Sequence, residues 1–181
     1  MDRGQLRAQQ RGVLLNALLA FLFCVAVLGG AFVILPGYFS LPTDLAQRIA
    51  FAIQVDVFVL VWIVIGVRIV SRVRFYTAED NAGSAYSVPS ARIAVPRAFL
   101  QNTVEQTLIA VGAHLALATL ISGSALILLP AATFLFAIGR IAFLVGYPYG
   151  ASGRAFGMVV TVLPSLGGYI WSIYLVFTGL F

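Results

Sequence analysis

The chain has 181 residues, roughly one domain by length, but its composition is not that of a soluble one. Hydrophobic residues make up 61% and charged residues 9%, with a mean hydropathy of +1.02, against about 45–50% and about 25% in soluble domains. So few charges cannot cover a water-facing surface, which excludes a soluble globular enzyme, a disordered chain and a coiled coil. The single cysteine, Cys24, excludes a disulfide framework and a multi-thiolate zinc site; inside an apolar run it reads as a small core residue.

A helical span needs about 20 apolar residues, and five segments qualify. The first runs from about Leu14 to Leu35 and is ended by Pro36 and Gly37. It is too long for the apolar part of a signal peptide and reads as a retained helix. The second runs from Ala50 to Val70. The loop from Ser71 to Pro96 is the longest polar stretch, a solvated connector or a cover for a site entrance. The third span runs from Ala98 to Leu120, and Ser122-Gly123-Ser124 separates it from the fourth, Ala125 to Val145. The fifth runs from Phe156 to Leu180.

All 11 basic residues are arginine, and they sit at the ends of these segments rather than on a soluble basic patch, so no nucleic-acid partner is expected. Arg3, Arg7 and Arg11 precede the first span. Arg68, Arg72, Arg74, Arg92 and Arg97 lie between the second and third, and Arg140 and Arg154 flank the end of the fourth. Only Arg48 falls on the other side. Five spans with the N-terminus in the cytoplasm place ten of eleven arginines inside, as the positive-inside rule asks. The expected location is a bacterial inner membrane or its equivalent.

Ionisable groups at membrane depth call for a partner or a role. Glu105 lies roughly 12 Å along the third span from Arg97, and Arg140 roughly 10 Å from Tyr147 at the end of the fourth. Antiparallel neighbours put the two at matching depth and predict an ion pair between them. Gln101, Asn102, Glu105, Arg140 and Tyr147 are then expected to converge near the cytoplasmic end, with Arg154 close by. The cluster reads equally as a clamp joining two helices or as a site for a small zwitterionic, anionic ligand with an amine. Asp56 and His114, near the other end, predict a tertiary hydrogen bond or ion pair. No protein-held metal or haem, phosphate-binding loop or dinucleotide fingerprint is expected. Five spans without an inverted repeat argue against a transporter.

Two of these segments are similar to a known family. Phe99-Leu100-Gln101-Asn102-Thr103-Val104-Glu105-Gln106 resembles the Asn-x-x-Glu motif of the MAPEG family, membrane-associated proteins in eicosanoid and glutathione metabolism. Gly139-Arg140-Ile141-Ala142-Phe143-Leu144-Val145-Gly146-Tyr147 resembles its Arg-x-x-(Tyr/Phe)-x-x-Gly-Tyr stretch. Arg154, seven residues after Tyr147, falls where leukotriene-C synthase-like members carry the arginine that activates the glutathione thiol. The resemblance implies an all-α integral membrane protein: a MAPEG-like four-helix bundle over residues 48–181. Residues 1–47 add a basic N-terminus, an extra span and an outer loop.

It further implies a homotrimer in membrane lipid that binds glutathione as co-substrate at the subunit seam, so that one chain alone should show an open groove beside the third span. Glu105 would meet the ligand amine or hold Arg140; Asn102, with Gln101 beside it, would bind the peptide backbone or a carboxylate; Arg140 would pair a carboxylate; Tyr147 would donate to the ligand or stack on it. Arg154 is the expected catalytic residue, holding a thiolate that attacks a lipophilic small-molecule substrate in a transferase or peroxidase reaction. The alternative is a non-catalytic lipid-binding scaffold of the same fold. The chain departs from the pattern at Ala98, where the family often has an arginine and Arg97 is one residue off, at Phe143 in place of a frequent tyrosine, and at Gln106.

Overall fold

The computed structural model describes residues 3–86 and 88–179. Five long helices and one short one follow in order: α1 (Arg3–Ile34), α2 (Leu45–Tyr76), α3 (Ala78–Asn81), α4 (Ala91–Leu120), α5 (Leu128–Gly146) and α6 (Gly150–Phe177). Tight 3-10 turns at Leu35–Tyr38, Gly123–Ile127 and Tyr147–Tyr149 punctuate them, the first and last carrying a proline in their opening positions. Each span begins before its expected start except α5, whose first residues are taken by the turn. The expected end of the fifth, residue 180, lies outside the described residues.

Helix directions follow from the contacts. On α2 and α4, Arg48 Nη1 donates to the Ile121 carbonyl while Gly66 packs on Leu100, so the two run in opposite senses. Asn102 meets Arg140 and Phe99 meets Phe143, which sets α5 against α4. Residues 123–177 run as helix without a break over 55 residues, charged only at Arg140 and Arg154, yet the chain reverses at Tyr147–Tyr149, where Gly146 lies on Gly153 and Gly139 on Thr161. Gly12 lies by Ser152 and Cys24 by Val160, so α1 is parallel to α6. Thus α1, α4 and α6 run one way and α2 and α5 return, an all-α, multi-pass membrane bundle of five spans. Ten arginines gather toward one end and Arg48 lies at the other.

The tightest union is between α5 and α6. A Cβ at Gly157 would run into the Phe143 backbone nitrogen and the Gly139 carbonyl, groups that cannot rotate away. Small residues at such seams let helices pack by dispersion where lipid removes the hydrophobic drive. One apolar cluster joins α1, α5 and α6 through Ala20, Cys24, Leu135 and Val160, and another joins α2 and α4 through Ala52, Leu117 and Ala118. Pro164 lies inside α6 and has no N–H for the Val160 carbonyl. The buried Cys24 thiol donates to that carbonyl at 3.9 Å, so Cys24 is a core residue that also satisfies a freed acceptor.

His114 Nδ1 and Asp56 Oδ1 lie 2.6 Å apart, both residues buried, which ties α4 to α2 as expected from the sequence. At the arginine-rich end, Asp80 of α3 clasps the start of α4. Its Oδ2 accepts from the Ser90 hydroxyl at 2.6 Å and its Oδ1 from the Ser90 amide at 2.9 Å. These two bonds hold the Asp80 carboxyl below its ordinary value, against the opposing effect of burial and with help from Arg74 and Arg97. The depressed value means the clasp stabilises above the ordinary carboxylate range and is lost as pH falls through the folded-state pKa. The Ser71–Pro96 connector is thus folded back on the bundle at Asp80.

Gly157→Ala should destabilise the bundle by about 1–3 kcal/mol, the usual cost of overpacking. Gly167→Ala, where nothing lies within 4 Å of the added Cβ, should be neutral or slightly stabilising through helix propensity. Thermal unfolding in mild detergent reads both; equal midpoints would show that the α5–α6 seam tolerates a methyl group.

Candidate functional site

Arg140 projects from α5 into the junction of α4, α5 and α6 and is completely buried. Its Nη1 donates to Asn102 Oδ1 at 2.8 Å, and its Nη2 and Nε donate to Thr161 Oγ1 at 2.8 and 3.2 Å. The Thr161 hydroxyl donates in turn to the Gly157 carbonyl at 2.7 Å. The rings of Phe143 and Phe136 lie 5.0 and 5.6 Å from the guanidinium carbon, faces that attract a desolvated cation. Arginine has no acceptor, so the Asn102 oxygen must face it. The Asn102 amide nitrogen is thereby turned the other way, 3.7 Å from Met158 Sδ.

That nitrogen faces an open groove of about 470 Å³ between α4, α5 and α6, with Val13 of α1 closing one side. Ala98, Asn102, Phe143, Tyr147, Arg154 and Met158 line it. Tyr147 stands edge-on to Phe143 with centroids 5.6 Å apart, and the Arg154 guanidinium carbon lies 4.9 Å from the Tyr147 ring centre. Arg154 is half-buried and is the groove's charged lining residue. A cation beside a phenol and an amide donor, on otherwise apolar walls, suits an anion attached to an apolar body.

The structure corrects two expectations and separates the expected cluster. Glu105 does not pair with Arg140. Arg140 meets Asn102, one turn short of Glu105, and Glu105 is turned to the outside of the chain, where it accepts from Gln101 Nε2 at 2.8 Å. Among the described residues no carboxylate lies within ion-pair distance of an arginine; the acidic side chain nearest a basic one is Asp56, hydrogen-bonded to His114. Arg154 is not in a loop: α6 begins at Gly150, whose φ of 79° suits glycine, and Arg154 lies in its opening turns. Of the six residues expected at the site, Asn102, Tyr147 and Arg154 share the groove. Arg140 lies behind it, and Gln101 and Glu105 are exposed on an adjoining face of α4.

Arg97 lines a separate crevice with Ser71, Arg74 and Gln101, so it does not occupy the place of the arginine missing at Ala98. Gln106 is buried and stands away from the groove. Thr161, the acceptor on which Arg140 depends, was not singled out in the sequence; its only signal is a hydroxyl four residues after Gly157, at the helix contact. Met158 was missed as an ordinary apolar residue. A larger apolar groove of about 620 Å³ lies at the other end between α1, α2 and α5, lined by apolar residues and by Ser40.

Bundle and groove together define a multi-pass helical membrane protein with a cationic, partly apolar cleft at one end. The chain belongs to the MAPEG family, whose model matches residues 49–174. It is similar to transmembrane protein 79 of Mus musculus, 28% identical over 162 residues that cover 87% of this chain and 40% of that protein. It is similar also to transmembrane protein 79 of Bos taurus, 28% identical over 164 residues, 84% of this chain and 41% of the other. The chain therefore spans about two-fifths of the length of these curated relatives. No solved structure gives a significant match.

Thr161→Val keeps the shape of the residue and removes the only acceptor of two buried Arg140 N–H groups. It should cost about 1–3 kcal/mol or more of stability, whereas Thr161→Ser should lie close to the native protein. A native unfolding midpoint for Thr161→Val would show that Arg140 finds another acceptor.

Proposed function

We propose that the protein binds glutathione in the groove bounded by Asn102, Tyr147 and Arg154 and activates its thiol against lipophilic electrophiles. The observation that carries this reading is Arg154, a half-buried cation held over Tyr147 in a groove that no carboxylate lines among the described residues. A free thiol ionises near pH 8.5, and a neighbouring cation lowers that value by a unit or more. The thiol proton leaves to solvent and the thiolate pairs with Arg154. Its sulfur then bonds to an electrophilic carbon as a conjugated π bond opens and takes a proton from solvent, or as a leaving group departs as an anion. With a hydroperoxide it bonds to the terminal oxygen as the O–O bond breaks, giving the glutathione sulfenic acid and, after protonation, the alcohol. In this reading Arg140 acts indirectly, by turning the Asn102 amide donor toward the ligand. Apolar walls at membrane depth favour a substrate that enters from the bilayer. A non-catalytic scaffold is the second reading, favoured by Ala98 in the groove wall and by Phe143, which supplies no hydroxyl.

The proposed assembly is a homotrimer. Glu105 supports it: an exposed carboxylate within a span, bonded only to the amide of Gln101, is costly against lipid, and a neighbouring copy would cover it. The proposed orientation has the arginine-rich end in the cytoplasm. Reporter fusions at Ser40 and after the last residue should report the outside, and a fusion at Gly83 the inside; agreement between the Gly83 and C-terminal fusions would exclude five spans with this orientation.

Glutathione added to the detergent-solubilised protein should give a thiolate absorbance band in the difference spectrum. Arg154→Ala should leave assembly intact and abolish most of that band. Its kcat should fall tenfold or more, about 1.4 kcal/mol of transition-state stabilisation, with a smaller change in KM. Arg154→Lys should recover only part, because an ammonium and a guanidinium hold an anion in different geometries. Native turnover by Arg154→Ala would return Arg154 to the role of an interfacial anchor.

A further inference from the structure

α1 lies outside residues 49–174, the segment that matches the family, yet it touches the turn of α6 that carries Arg154. Its polar first third, Arg3 to Arg11, is helical and continues the span toward the arginine-rich end. Gln9 Oε1 accepts from the Ser152 amide at 2.9 Å. Asn16 Nδ2 donates to the Ser152 carbonyl at 3.2 Å and to the Gly12 carbonyl of its own helix at 3.0 Å. Between them, Gly12 faces Ser152 so closely that a Cβ there would come within 2.8 Å of Ser152 Cβ. The Gln9 amide also covers Gly150, the residue that opens α6: a Cβ at Gly150 would lie 3.3 Å from Nε2.

These contacts answer a need of α6. The first four N–H groups of a helix have no partner within it, and the residue preceding α6, Tyr149, makes no side-chain cap. Ser152 is the third residue of the helix, so its N–H is one of the four. Gln9 satisfies it from another helix, and Asn16 holds the same residue by its carbonyl, in the next peptide unit. Arg154 follows two residues later, with its guanidinium over Tyr147.

We infer that α1 caps α6 in this way and is the positioning element for Arg154: Gln9, Gly12 and Asn16 fix the opening turns of α6 so that the cation stays over Tyr147 at the groove. The inference rests on the proposed role of Arg154 for its catalytic meaning, but the placement can be read without glutathione.

The test uses the full chain in detergent, with Cys24→Ala and Arg154→Cys, and follows alkylation of the new thiol by a water-soluble maleimide. Gln9→Ala and Gly12→Ala should each speed labelling roughly fivefold, about what the loss of a helix cap releases. Ser152→Gly added to Gly12→Ala should return the rate to that of the parent, because the atoms that the Gly12→Ala methyl would strike are then absent and the next nearest, Ser152 Cα, lies 3.9 Å away. A control thiol from Ser71→Cys, on exposed α2, should label at one rate in all backgrounds. Unchanged labelling at position 154, failure of Ser152→Gly to restore it, or a parallel change at position 71 would overturn the inference. In the chain with native Arg154, Gly12→Ala should lower the glutathione thiolate signal by a similar factor and Ser152→Gly should restore it. If labelling behaves as stated and the native protein forms no thiolate, the glutathione reading fails while the capping role of α1 stands.

Discussion

A guanidinium that is completely buried at membrane depth dictates how α4, α5 and α6 meet. Arg140 presents five N–H donors and no acceptor, and lipid offers nothing to receive them. The chain meets them with two neutral oxygens, Asn102 from α4 and Thr161 from α6, and with two aromatic faces from α5 itself. The Thr161 oxygen reaches the guanidinium only if α6 lies close against α5, which the glycines at 139, 146, 153 and 157 permit. The groove is a consequence of this junction. Its amide donor is aimed by Arg140, its floor is Phe143, and its charge comes from the end of α6 that the same seam holds in place.

The helical rise fixed the depth of each polar residue but not its rotation about the axis, and that is where sequence reading and structure part. The rise of 1.5 Å per residue brings Glu105 and Arg140 to within about a turn of one level, and Arg140 meets Asn102 there instead. The three residues from Asn102 to Glu105 still rotate the side chain far enough to carry it from the buried seam to the surface. Arg97 and Ala98 make the same point: adjacent in sequence, they line different clefts. Spans, their number and the alternation of arginines were legible because length and charge alone set them. Thr161 was not, since a threonine in a span ordinarily satisfies itself on its own helix, as Thr103 does on the Phe99 carbonyl. Thr161 does this too, on Gly157, and accepts from Arg140 as well.

The first helix could be counted from its apolar run but not docked. Its contacts with α6 use residues that fall outside or at the edge of that run, Gln9, Gly12 and Asn16, together with Cys24 within it. Gln9 and Cys24 each meet a backbone group that α6 cannot satisfy unaided: an unpaired amide at its start and the carbonyl released by Pro164. A helix attached this way is held by directional bonds at two levels, which fixes its rotation and its register against α6.

α4 shows how the bundle sorts polarity. It is less apolar than α1 and α2, and more of it is buried. Polar side chains in a span are driven inward, because hydrocarbon cannot pair them. Asn102 and His114 obey: each is partnered, one to α5 and one to α2, so α4 is pinned at two depths by bonds of different chemistry. Gln101 and Glu105 do not obey. They bond to each other on an exposed face of the helix. A charge persists in a membrane when something compensates it. For Arg140 the chain supplies the compensation itself, which makes that residue structural; for Glu105 it supplies only one amide, which directs the face beside the groove toward something the single chain does not contain.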